Sequence, residues 1–104
     1  MLIALDYDGT YTADPRMWRT FCTMAQSLGH SFVCVTGRAV PPDFTRDPPL
    51  PQGMPIVCAP EGYKRNAALR AGFKVDVWID DIPEMIGPSK VLDFSGDCPC
   101  GEPR

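Results

Sequence analysis

Two carboxylates set two residues apart, Asp6 and Asp8, close the apolar run Leu2-Ile3-Ala4-Leu5 and lead into Gly9 and Thr10. Side chains alternate along a strand, so the two acids share a face if the strand runs through them. Acids crowded at the end of a buried strand are costly to keep charged unless something positive lies between them. A bound cation that prefers oxygen ligands, Mg²⁺, meets that need. Asp and Gly are also ordinary turn residues, so the pair signals chemistry only in company. The company is Thr36, which ends a second apolar run and is followed by Gly37-Arg38, then Lys64, then a second acid pair, Asp80-Asp81. Acids, a hydroxyl and one cationic side chain suit phosphoryl transfer. The acids hold Mg²⁺, the metal and the lysine neutralise phosphate oxygens, and the hydroxyl donates a hydrogen bond.

Such groups meet only if the elements between them deliver all of them to one edge. Leu2–Leu5 reads as a strand buried on both faces, the kind found in parallel sheets, and Gly9 lets the chain leave it at low steric cost. Asp14 then caps a helix that starts at Pro15 and stops at Gly29. Met17, Trp18, Phe21, Cys22, Met24, Ala25 and Leu28 recur at helical spacing along it, a stripe expected to pack on the sheet. Ser31–Thr36 is the second strand, so strand, helix and strand form a right-handed parallel unit that ends Thr36 on the same edge as Asp6. Residues 39–55 hold six of the twelve prolines and make no crossover helix. They are long enough to return the chain as an extended loop, or to form a mobile flap beside the active edge. A third strand over Ile56–Ala59, a helix over Glu61–Gly72 and a fourth strand over Val75–Ile79 follow. One helical turn is expected from Pro83 to Ile86 and an edge strand over Lys90–Phe94, with a loosely held tail from Ser95. Open α/β sheets place their ligands at the carboxyl ends of the strands, where all these groups fall.

Composition limits the partners. A chain of 104 residues, 44% hydrophobic, supports a single domain with one core. The net charge of −3 supplies no general attraction to nucleic acid or anionic membrane, though it leaves room for a local basic patch. No apolar run approaches the roughly 18–20 residues of a membrane span, and no basic segment precedes the first apolar run as in a secretory signal, so a cytoplasmic protein is expected. Cys34 and Cys58 lie in apolar runs and read as small hydrophobes. Cys98 and Cys100 form the one close cysteine pair, without the second pair that structural zinc needs; reduced thiols are expected throughout.

In this order the motifs resemble the haloacid dehalogenase superfamily. Asp6-Tyr7-Asp8-Gly9-Thr10 matches its first motif, Thr36 its second, Lys64 its third (with Arg65 and Lys74 as alternatives) and Asp80-Asp81 its fourth. A response-regulator receiver also clusters Asp, Thr and Lys, but in a different order. The resemblance covers nearly the whole chain and implies a three-layer Rossmann-like α/β domain on five mainly parallel strands in the order 3-2-1-4-5. It implies a Mg²⁺-dependent phosphatase in which Asp6 becomes an aspartyl-phosphate and Asp8 is general acid and then base, its backbone carbonyl helping to hold the metal. Thr36 would bind phosphoryl oxygens and Lys64 would orient the nucleophile. Asp80 and Asp81 would complete the metal site, and Gly9, Thr10, Gly37 and Arg38 would line the substrate. Alternatives for two of these stay open: Thr10 as a ligand of the loop backbone, and Arg38 as a surface charge.

No insertion leaves room for the cap domain that many members carry. A capless site implies either a phosphorylated small molecule, such as a nucleotide, or a terminal phosphate on a macromolecule as substrate, worked on by a monomer or homodimer. The competing expectation is a catalytically idle domain that keeps the Mg²⁺ site and serves as a binding or regulatory partner. Two acids in the first motif favour the enzyme, since metal binding alone does not call for a general acid.

Overall fold

The structure is a computed structural model and describes residues 1–88 of the chain. Its four strands are all parallel: β1 (Leu2–Leu5), β2 (Ser31–Thr36), β3 (Ile56–Cys58) and β4 (Val77–Ile79), in the spatial order β3-β2-β1-β4. Helix α1 (Pro15–Ser27) crosses from β1 to β2, and α2 (Lys64–Arg70) from β3 to β4. The α/β class and the order of these four strands agree with expectation. The expected fifth strand over 90–94, the tail from Ser95, and Cys98 and Cys100 lie outside the described residues, so the sheet described has four strands, not five.

Strand alternation sorts the core into two layers. Ile3, Leu5, Phe32 and Cys34 pack with Cys22 and Ala25 of α1. Ala4, Val33, Val35 and Val57 pack with Ala67 and Ala68 of α2 on the opposite face. Asp6 follows Ala4 by two positions and therefore turns toward α2. Because β1 sits between β2 and β4, with Leu5 opposite both Cys34 and Ile79, the chain leaves three neighbouring strands at one edge.

Asp14 caps α1 as expected, accepting from the Met17 amide at 3.1 Å, with Pro15 in the first turn. The stripe along that helix divides differently from the expectation. Cys22 and Ala25 face the sheet with Trp18 packed against them, whereas Met17, Phe21, Met24 and Leu28 are exposed, Leu28 at 74%. At about 100° per residue the four exposed side chains lie roughly a quarter-turn round the helix from Trp18, Cys22 and Ala25, which take the side that faces the sheet. The proline-rich segment 39–55 takes the returning course rather than that of a free flap, and puts Leu50 and Met54 into the same layer as Cys22 and Ala25. Its backbone is pinned by three donors: Tyr7 Oη to the Pro48 carbonyl, Tyr11 Oη to the Pro49 carbonyl at 2.7 Å, and Arg19 Nη2 to the same carbonyl at 2.9 Å. The helix expected over Glu61–Gly72 is shorter, and so is the strand expected from Val75; the turn after β4 is a 3₁₀ turn at Pro83–Met85.

Candidate active site

The parallel pairing of β1 with β4 decides the site. The Asp6 amide continues the ladder by donating to the Ile79 carbonyl at 2.9 Å, so Asp6 and Asp80 emerge side by side. Lys64, the first residue of α2, reaches between them. Its Nζ donates to Asp6 Oδ1 and to Asp80 Oδ2, each at 2.6 Å. Lys64 and Asp6 are only 4% and 5% exposed. Thr10 closes the other side: its hydroxyl lies 2.9 Å from Asp6 Oδ2 and 3.2 Å from Asp81 Oδ1, and accepts from the Asp81 amide at 3.1 Å. Asp80 Oδ1 accepts from the Ile82 amide at 3.0 Å. Five residues chosen from the sequence, Asp6, Thr10, Lys64, Asp80 and Asp81, thus form one bonded network. Of the alternatives to Lys64, Arg65 instead lies over the Trp78 ring and donates to the Gly87 carbonyl.

The electrostatics of this network are unbalanced. Three carboxylates offer oxygens that all lie within 4.8 Å of one another, against a single ammonium. Burial pushes the Asp6 carboxyl up to about 6, against the pull of Lys64, and the hydrogen bond with Asp81 pushes the same way. Asp81 is held low, first by that bond to Asp6 and then by Thr10. Burial works against the charge of Lys64, but its bonds to Asp6 and Asp80 outweigh it and raise the pKa. Crowded acids of this kind are relieved either by a shared proton or by a shared cation. Oxygens bound to one small divalent ion sit roughly 3–4 Å apart, so side-chain adjustment alone lets Asp6, Asp80 and Asp81 hold a metal.

Gly9 serves this cluster by what it lacks. Its φ of +85° is left-handed, and a Cβ there would lie 2.5 Å from Asp81 Oδ2. Gly9→Ala is therefore expected to displace Asp81, to lower metal affinity at least about tenfold, and to cost about 1–3 kcal/mol in backbone strain. Calorimetric titration with Mg²⁺ beside thermal unfolding checks this; unchanged affinity would show that Asp81 does not bind the ion.

The remaining predicted residues sit elsewhere. β1 ends at Leu5, so Asp8 lies in the following turn and does not share the face of Asp6. Its exposed carboxylate stays out of the three-acid cluster and takes a two-pronged bond from Arg38, Nε to Oδ2 at 2.8 Å and Nη2 to Oδ1 at 2.9 Å. That fork holds Asp8 below the ordinary carboxylate range. Alternation along β2 carries Thr36 to the side of Phe32 and Cys34, away from Lys64. Its sealed hydroxyl accepts from the Arg38 amide at 3.2 Å. Thr10, not Thr36, is the hydroxyl of the cluster. Gly37 is exposed with open space about its Cα.

No family model matches this chain, and no curated protein or solved structure matches it either.

Sequence reasoning missed Asp47, which accepts from Arg38 Nη1 at 3.1 Å. Its signal was masked by the prolines beside it, which speak of backbone and not of chemistry. It also missed the Tyr7 hydroxyl, hidden by its place between two acids that drew the attention.

Proposed function

We propose that this chain is a Mg²⁺-dependent phosphohydrolase that works on phosphomonoesters through an aspartyl-phosphate on Asp6. The observation that carries this reading is the Asp6–Lys64–Asp80–Asp81–Thr10 network at one sheet edge. It pairs a nucleophilic carboxylate with a buried ammonium and with two further acids able to hold a cation. The motif order that resembles the haloacid dehalogenase superfamily adds to it.

In the first step Asp6 Oδ2, the oxygen not bonded to Lys64, attacks phosphorus and the bond from phosphorus to the ester oxygen breaks. The departing oxygen takes a proton from the Asp8 carboxyl. In the second, Asp8 removes a proton from water as that water attacks phosphorus; the bond to Asp6 breaks and inorganic phosphate leaves. Mg²⁺ bound by Asp6, Asp80 and Asp81 would supply charge neutralisation to the phosphoryl oxygens. Lys64 keeps Asp6 oriented and balances its charge. Asp8 takes part only after the Arg38 fork opens.

That last requirement favours a second reading, a domain that binds the cation without turnover. Steady-state hydrolysis of p-nitrophenyl phosphate and of a panel of phosphorylated metabolites and oligonucleotides, with Mg²⁺ or with EDTA, separates the two. Chelation is expected to lower the rate at least about 100-fold, with recovery when Mg²⁺ is restored. A protein whose Tm rises with Mg²⁺ but which hydrolyses nothing on the panel would overturn the enzyme and leave the binding domain.

A further inference from the structure

Helix α1 carries two apolar stripes. Trp18, Cys22 and Ala25 face the sheet, whereas Met17, Phe21, Met24 and Leu28 run along an exposed flank. The spacing of the second stripe, 4-3-4, is that of a seam at which one helix packs on another. An open groove of about 590 Å³ lies along it, bounded by Arg16, Met17, Thr20, Phe21 and Met24. The seam is prepared for contact in two ways. The Phe21 ring is held edge-on by Trp18 and Phe32, with centroids 5.7 and 5.8 Å away, so an aromatic anchor is fixed in advance near its middle. The hydroxyls beside it are already used: Thr20 donates to the Arg16 carbonyl at 3.0 Å and Ser27 to the Met24 carbonyl at 2.6 Å. Covering this rim therefore strands neither donor.

We infer that this seam is the contact between two copies of the chain, paired antiparallel through α1 about a two-fold axis. The occupant follows from the pattern. Read from either end 4-3-4 is the same, so antiparallel pairing sets Met17 against Leu28 of the partner copy and Phe21 against its Met24. A parallel pair would instead face Arg16 with Arg16, a repulsion between like charges. The antiparallel one sends Arg16 to the carboxyl end of the neighbouring helix, where the last carbonyls favour a cation. Four side chains between 38% and 74% exposed present on the order of 400 Å² per copy, and with the rim a pair buries about 1,000 Å² in all. That is the low end for specific contacts, so the dimer forms at micromolar concentrations. The pair points its two sheet edges in opposite directions and leaves both acid clusters open, so the inference stands apart from the proposed reaction.

The test is sedimentation velocity on the full chain over a concentration series. The wild type is expected to dimerise with a Kd on the order of 10 µM. Met17→Glu and Leu28→Lys should each raise that Kd at least about tenfold, because each puts an unpaired charge into an apolar layer. Both positions are exposed, so the Tm of each variant should stay within a few degrees of the wild type at concentrations where all are monomeric. The double variant Met17→Glu/Leu28→Lys decides the register. Its new charges lie about 16 Å apart within one chain, too far to pair, but face each other at both ends of an antiparallel dimer. It should recover at least about threefold of the lost affinity over either single variant. A wild type still monomeric at about 200 µM would overturn the inference and hand the seam to residues 89–104 or to a different protein. Single variants that associate like the wild type, or a double variant that associates no better than the singles, would overturn it as well.

Discussion

Lys64→Met is expected to lower stability by about 3–5 kcal/mol, the effect of removing one partner from a buried ion pair. The side chain is 4% exposed and joins two carboxylates at 2.6 Å. Methionine fills nearly the same volume, so packing changes little and the loss isolates the charge. Without the ammonium, the remaining carboxylates face one another in a half-buried pocket. The pH dependence carries the signature. The Asp6 carboxyl already titrates near 6 in the folded protein, above its ordinary 3.8, and loss of Lys64 raises it further. An acid whose folded pKa exceeds its unfolded value favours the folded state at low pH, and that advantage is lost as pH rises through the folded pKa. The variant should therefore regain stability as pH falls from above about 6 toward 3.8, and saturating Mg²⁺ should raise its Tm more than it raises that of the wild type. Urea unfolding across this pH range decides the matter. A variant as stable as the wild type at neutral pH would mean that Lys64 does not neutralise the acids.

The parts of this arrangement legible in the sequence are those fixed by local chemistry or strand parity. The run Leu2–Leu5 had to be buried on both faces. The Asp14-Pro15 cap had to start a helix, and a strand–helix–strand unit had to be parallel and so bring Thr36 to the edge that holds Asp6. Asp80-Asp81 could be matched to Asp6 because β4 ends in them. Less legible was anything set by the long segment 39–55, whose course depends on tertiary bonds from Tyr7, Tyr11 and Arg19 to proline carbonyls. That segment puts Leu50 and Met54 into the core, while Met17, Phe21, Met24 and Leu28 lie exposed although their spacing alone spoke for burial. It also supplies Asp47, which turns Arg38 toward Asp8. The exchange of roles between Thr10 and Thr36 has a similar origin. Thr36 has the parity of Phe32 and Cys34, whereas Thr10 sits where the turn after Asp6 folds back, a position that no period predicts.

Asp6→Asn is expected to abolish turnover, with kcat down on the order of 10³-fold or more, as for the loss of other covalent nucleophiles. The substitution keeps the shape of the side chain, and its carbonyl oxygen still accepts from Lys64, so the network around Lys64 and Thr10 persists. It removes one of three crowded negative charges, which offsets the weakened ion pair, and Tm should stay within a few degrees of the wild type. Mg²⁺ affinity should fall by a smaller factor than the rate, because Asp80 and Asp81 remain. Dead chemistry in an intact fold distinguishes a nucleophile from a structural acid. Covalent trapping makes the distinction sharper: a rapidly quenched wild-type reaction should carry acid-stable, hydroxylamine-labile phosphate on Asp6, as an acyl phosphate does, and Asp6→Asn should carry none. Turnover that survives in Asp6→Asn would mean that water attacks the ester directly and that Asp6 serves only as a ligand of the cation.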